Sequence, residues 1–158
     1  MGVCGCGKST IGALLAEKTQ GIFKDGDIFH PEKNVHKMSS GTPLNDKDRE
    51  DWLNAISESI TSHTGAWPLF FGCSALKRQY RELLNSEIKG SHVHFIHLKG
   101  NRELISERMQ KRERHFMKSR MVESQFEDLE DLEEGEKGFS VLINNNPEQI
   151  CTEIIAHI

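Results

Sequence analysis

The chain opens Met1-Gly2-Val3-Cys4-Gly5-Cys6-Gly7-Lys8-Ser9-Thr10, and Gly2 to Ser9 fit the pattern G-x-x-x-x-G-K-[ST]. Glycines at this spacing let the backbone turn its N–H groups inward around a phosphate. The helix that follows adds the partial positive charge of its N-terminus. Lys8 is placed to reach the β- and γ-phosphates of a nucleotide, and the Ser9 hydroxyl to ligate Mg²⁺. Gly2, Val3, Cys4, Gly5, Cys6, Gly7, Lys8, Ser9 and Thr10 are therefore read as a phosphate-binding loop, with ATP as the implied nucleotide. Such a loop ordinarily leaves the end of a buried strand, and here only Met1 stands before it.

The rest of the composition narrows the class. At 158 residues the chain is one domain by length, able to bury a real core. A formal charge of -4 argues against nucleic-acid and membrane-surface roles, both of which need a basic footprint. No apolar run approaches the roughly 20 residues of a membrane span. No signal peptide is expected, because Gly5, Gly7 and Lys8 interrupt the N-terminus. Cys4, Cys6, Cys73 and Cys151 are read as reduced thiols of a cytoplasmic protein, since Cys4 and Cys6 have no partners at zinc-site spacing.

Working outward from the loop, Gly7 to Lys18 has the periodicity of a helix, with Ile11, Leu14 and Leu15 on one face. Gly21 to Lys24 is a short strand candidate, and Pro31 suits the first turn of a short helix. Asp46 to Ser62 is amphipathic, with Trp52, Leu53, Ile56 and Ile60 in register and Asp46 as its expected N-cap. Pro68 to Cys73 is apolar without alternation, which suits a strand buried on both faces. Leu76 to Ile88 is helical, Val93 to Leu98 strand-like, and Arg102 to Arg114 a basic helix. Phe139 to Ile143 and Pro147 to Ile158 read as a last strand and a last helix. Strands alternating with helices predict an α/β fold, a parallel sheet covered on both sides. The acidic run from Glu127 to Glu136 is expected to be solvated surface.

Two further groups carry chemistry. Asp25-Gly26-Asp27 ends the strand candidate that starts at Gly21, where a parallel sheet presents residues to its ligand crevice. One carboxylate there can hold Mg²⁺-bound water while the other accepts a proton from an attacking hydroxyl. D-G is also a favoured turn dipeptide, so the pair alone leaves a simple turn open. Lys37, Arg49, Lys77, Arg78, Arg81, Arg108, Arg112 and Arg114 are the cations that could hold an anionic acceptor or neutralise a transferring phosphoryl group. Spacing does not choose among them.

Longer blocks do. Asp25-Gly26-Asp27 with His30-Pro31, Lys37-Met38, and Gly41-Thr42-Pro43-Leu44-Asn45-Asp46 through Arg49 and Trp52-Leu53 resemble the gluconate kinases. So do Cys73-Ser74-Ala75-Leu76-Lys77 with Tyr80-Arg81, Arg108 and Arg112 before His115-Phe116-Met117, and Ser124-Gln125-Phe126-Glu127. The blocks run in family order over nearly the whole chain. The resemblance implies transfer of phosphate from ATP, with Mg²⁺, to the 6-hydroxyl of D-gluconate. It implies a three-layer P-loop kinase fold with an acceptor-binding region at about 28–62 and a lid at about 108–124. By the same resemblance Lys8, Asp27 and Arg108 are catalytic, Asp27 as base. Ser9 and Asp25 serve the metal, and Arg112 joins the ATP side. Asp27, His30, Lys37, Arg49, Lys77 and Arg81 face the acceptor. A homodimer is implied as well. A kinase of another small polyhydroxy acid, or a catalytically silent nucleotide-binding product, is the alternative.

The departures are specific. Cys4 and Cys6 stand where the family usually has Ser, which predicts sensitivity to thiol alkylation and protection by ATP. Arg114 replaces a usual Gly, so a different lid turn is expected, and Asp51 replaces a usual Pro. The first strand, central in such a sheet, is expected to be missing, leaving its neighbours with unpaired ladder groups. A strand-length apolar N-terminal extension is therefore expected to raise solubility and activity.

Overall fold

The computed structural model describes residues 1–88, 92–111 and 116–158, with side chains from 122 onward in the last segment. From the loop the chain enters α1 (Lys8–Thr19), β1 (Ile22–Asp25), a 3₁₀ turn (Gly26–Phe29), α2 (Glu32–Ser39) and α3 (Asp46–Thr61). It continues through β2 (Leu69–Gly72), α4 (Arg78–Glu87), β3 (Phe95–Lys99), α5 (Arg102–Gln110) and α6 (Phe116–Asp128). It ends in β4 (Gly138–Leu142) and α7 (Pro147–Ile155).

All pairing is parallel. β1 lies beside β2 with Ile22 opposite Leu69, and β3 lies beside β4 with Phe95 opposite Gly138. The α/β layering expected from the sequence is present, but the single continuous sheet is not. β1–β2 and β3–β4 are separate two-stranded sheets. β2 and β3 do not pair with each other, and residues of both line one cavity.

Two apolar clusters pack the helices against the strands. Ile11 and Leu15 of α1, Leu98 and Val141 of the β3–β4 pair, Ile105 and Ile154 form one. Trp52, Leu53 and Ile56 of α3 with Tyr80 and Leu84 of α4 form the other. A buried side chain of this size contributes about 1.5–3 kcal/mol, so each helix is fixed mainly by its apolar stripe rather than by propensity.

Several boundaries differ from expectation for identifiable reasons. Asn45, not Asp46, caps α3. Its side chain accepts from the Asp48 N–H at 2.9 Å while Asp48 Oδ2 takes the Asn45 N–H at 2.9 Å, a reciprocal capping box. Asp46 is thereby released to bind Lys77, Gln79 and Tyr80. The helix α6 was not anticipated from the sequence.

The acidic run is not simply solvated. Asp131 takes Lys99, Glu133 takes Arg78, Glu136 takes Arg81, and Glu130 takes the Arg78 N–H at the start of α4. These carboxylates form a strap across α4 and β3, with Glu130 meeting the positive end of the helix dipole. Among the described residues, no helix is long and apolar enough to cross a membrane.

Candidate active site

The site lies at the carboxyl ends of β1 and β2, where the loop before α1 comes alongside them. α1 begins at Gly7, whose φ of 103° is left-handed backbone that a side chain would strain, and no side chain caps the helix. No acidic residue occupies its first turn, so the amide dipoles of the helix start are open to an anion. Gly5, at φ 87°, passes so close to α5 that a Cβ would sit 2.9 Å from Met109 Sδ.

Lys8 Nζ donates to the carbonyls of Gly2 (2.9 Å) and Val3 (3.1 Å), folding back across the loop it is expected to serve. Ser9 Oγ donates to Asp25 Oδ2 at 2.9 Å, and Asp25 Oδ1 accepts the Asp27 N–H at 3.0 Å. Asp25 is thus held at both oxygens, one by the loop helix and one by the 3₁₀ turn. Asp27 opens on the same space. Partial desolvation, then the neighbouring Asp25 charge, raises its carboxyl above the ordinary range, opposed by Lys8. A raised carboxyl beside a phosphate loop is suited to accept a proton.

A cavity of about 400 Å³ joins these groups to the acceptor region, lined among others by Lys8, Ser9, Asp25, Asp27, His30 and Arg49. His30 stacks on Trp52 with ring centroids 4.4 Å apart, and Trp52 Nε1 in turn donates to the Gly26 carbonyl at 2.7 Å. Burial and the Arg49 charge push His30 down to about 4, so it is a neutral imidazole at physiological pH. Its Nδ1 is buried with no partner among the described residues. Arg49 is 6% exposed, its Nε likewise has no partner there, and its Nη2 reaches Asp128 only at 3.5 Å. A buried guanidinium so weakly satisfied is suited to receive a carboxylate.

The other expected residues divide. Arg108 Nη2 donates to the Ile143 carbonyl at 2.8 Å and its Nη1 lies 3.4 Å from the Cys6 carbonyl, placing the guanidinium against the phosphate loop. Lys77 lies between Asp46 (2.7 Å) and Asp128 (3.3 Å), and Lys37 is bound to Asp48. Thr10, Cys4 and Gly7 also line the cavity. Val3 and Cys6 are buried beneath it in the core. Arg112 and Arg114 lie outside the described residues.

Arg81 is a correction. It is 1% exposed and spends its donors on Glu136 and on the carbonyls of Ala75, Leu76, Glu130 and Asp131, so it braces the strap instead of facing the acceptor.

Two participants were missed. Gln125 Oε1 accepts the Cys4 N–H of the loop at 2.6 Å, bringing α6 to the phosphate site. Asp128 bridges Arg49 and Lys77. The Ser124-Gln125-Phe126-Glu127 block was the available signal for the first; the second was hidden in the acidic run.

This geometry has known counterparts. Residues 4–158 match the sequence model of the family described as shikimate kinase. The thermosensitive gluconokinase of Escherichia coli K12 is 47% identical over 136 residues, covering 82% of this chain and 69% of that protein. The chain belongs to the gluconokinases of the shikimate kinase family. A probable gluconokinase of Dictyostelium discoideum is 38% identical and aligns with 100% of this chain and 84% of its own length. The crystal structure of a gluconokinase from Sinorhizobium meliloti superposes with a TM-score of 0.85 at 39% identity, covering 99% of this chain and 87% of that one. A Mycobacterium tuberculosis APS kinase, at 13% identity and a TM-score of 0.71, shares the fold alone.

Proposed function

We propose that this member of the gluconokinase family transfers the γ-phosphoryl group of ATP to the 6-hydroxyl of D-gluconate. The observation that carries this reading is that one cavity holds a phosphate end and an anion end. Lys8, Ser9 and the open start of α1 lie at the first, and the under-satisfied Arg49 beside neutral His30 at the second. Asp27 lines the same cavity, and its raised carboxyl supports a role as the base.

The acceptor's carboxylate pairs with Arg49, and its hydroxyls meet His30 and the surrounding polar groups. That orientation presents the far primary hydroxyl to Asp27, which takes its proton as the oxygen attacks phosphorus. Lys8 exchanges the Gly2 and Val3 carbonyls for phosphate oxygens, and Arg108 stabilises charge on the transferring group. Ser9 Oγ and Asp25 are hard oxygen donors that fit Mg²⁺, which when bound neutralises charge on the phosphates. Arg108, packed against the phosphate loop, helps keep water from the transferring group. A cytoplasmic homodimer acting on this small molecule completes the reading.

Gluconate-dependent ADP release with ATP and Mg²⁺ tests it, against shikimate, glycerate and nucleosides as competing acceptors. Selective turnover of gluconate, abolished in Lys8→Ala, is expected. ATP binding with no gluconate-dependent release would overturn it.

A further inference from the structure

Gln125 lines the cavity beside Lys8 and Asp27, and its side chain is held against the phosphate loop. Its Oε1 accepts the Cys4 N–H at 2.6 Å. A backbone N–H can only donate, so the loop itself fixes which end of the amide faces it. The Nε2 group diverges from the same carbon and has no partner among the described residues.

The helix that carries Gln125 is held so that this aim is rigid. Val122 is buried in the core, and Phe126 and Leu129 pack against the same cluster, an apolar stripe at i, i+4 and i+7. Gln125, at i+3, stands on the border of that stripe. Arg102 lies over the Phe126 ring, 4.8 Å from its centroid, and Asp128 ties the next turn to Arg49 and Lys77. Turning α6 about its axis would break these contacts together.

The loop is equally constrained at this point. Lys8 Nζ holds the Gly2 and Val3 carbonyls, and Gln125 takes the next amide, that of Cys4. One loop N–H is thereby spent on Gln125 instead of being offered to phosphate. The side chain has two N–H donors of its own to give in return. Donors fixed in advance act where charge develops during transfer, and cost no reorganisation at that moment.

We propose that Gln125 is a further catalytic residue, its Nε2 donating to an oxygen of the phosphoryl group in flight while its Oε1 keeps hold of the loop at Cys4. In that step the bond from phosphorus to the bridging oxygen of ADP breaks and the bond to the acceptor oxygen forms. Gln125 neither gains nor loses a proton. The assignment deepens the phosphoryl-transfer reading and rests on it.

The test compares Gln125→Met and Gln125→Glu with the wild type. Met is similar in size and removes both acceptor and donors. Glu keeps an acceptor for the Cys4 N–H and replaces the donors with charge. Gluconate-dependent turnover is measured beside binding of ADP with and without aluminium fluoride, a planar stand-in for the transferring group. Gln125→Met is expected to lower kcat and weaken the ADP–aluminium fluoride complex by roughly 100-fold each, leaving the affinity for ADP alone within about 3-fold. Gln125→Glu is expected to lose at least as much, although its loop bond survives. Wild-type kcat in either variant would overturn the proposal. Equal weakening of ADP with and without aluminium fluoride would overturn it too, since Gln125 would then only anchor the loop. Failure of the underlying reading looks different, because the wild type itself would show no gluconate-dependent ADP release.

Discussion

The Arg81 guanidinium is clasped by the Glu136 carboxylate, Nε to Oε1 at 2.5 Å and Nη2 to Oε2 at 2.9 Å, with Arg81 fully buried and Glu136 largely covered. The pair ties α4 to the acidic strap that leads from α6 into β4. Truncating one member of such a pair strands the other charge. Arg81→Met is expected to destabilise the fold by about 3–5 kcal/mol. Glu136→Gln keeps part of the geometry and is expected to cost less. Denaturant midpoints check both, and an unchanged KM for gluconate in Glu136→Gln separates bracing from substrate contact.

Asp27→Asn removes the proposed base while preserving shape and most hydrogen bonding. A fall in kcat of about 10²–10⁴-fold is expected, with ATP affinity by calorimetry largely intact. Because the Asp27 carboxyl is raised, the wild-type rate should decline with falling pH earlier than an ordinary Asp would dictate. That acid limb should be absent from the residual rate of Asp27→Asn.

Arg49→Lys retains charge but loses the planar fork, and Arg49→Met loses both. If Arg49 pairs with the acceptor carboxylate, KM for gluconate should rise by roughly 10-fold or more in Arg49→Lys, and further in Arg49→Met. The KM for ATP should move little in either. Parallel rises in both KM values would instead mean that the cavity had collapsed around the lost side chain.

His97 sets a pH limit on stability. It is 1% exposed on β3, 3.3 Å from Ser140 Oγ, and faces Asp131 at 3.7 Å with Lys99 and Arg81 nearby. Burial, then the Met1 ammonium, lowers it from 6.5 to about 4. The unfolded chain therefore binds a proton that the folded chain refuses, and stability drops as pH falls from 6.5 toward 4. The full loss is on the order of 3 kcal/mol. His30 adds a loss of the same sign over the same window. Carboxylates such as Glu136, lowered by Arg81, act mainly at more acid pH. Urea midpoints between about pH 6.5 and 5 should show a shallower slope in His97→Gln than in the wild type.

The two loop thiols should not react alike. Cys6 is 1% exposed within the core, whereas Cys4 is half-buried and lines the cavity. Stoichiometric alkylation of the native protein should mark Cys4, slow turnover and be prevented by ATP. Peptide mapping that finds Cys6 modified first would contradict this.

Local signals were legible along the chain wherever local physics decides. Glycine spacing in the loop, the apolar stripes of α1 and α3, and the unalternating run of β2 all lie at or near their expected positions. The Asp25–Asp27 pair falls where a strand ends at the ligand crevice. Charge partners were not legible, because a charged side chain reports its own chemistry and nothing about distance. Arg49 and Arg81 look equivalent in sequence. Packing leaves the first under-satisfied in a cavity and gives the second a carboxylate and four carbonyls. The acidic run read as solvent-facing, yet the fold brings its carboxylates onto Arg78, Arg81 and Lys99.

By itself, then, the sequence determined the phosphate loop, the order of strands and helices apart from α6, and the family, all of which are written in residues adjacent along the chain. Only the tertiary structure decided which cations face the cavity, that Gln125 reaches it, that Asp128 bridges Arg49 and Lys77, and that β2 and β3 stand apart with Met1 between them. Those outcomes depend on contacts between distant segments, where burial and competing partners fix the result and sequence spacing carries no measure of either.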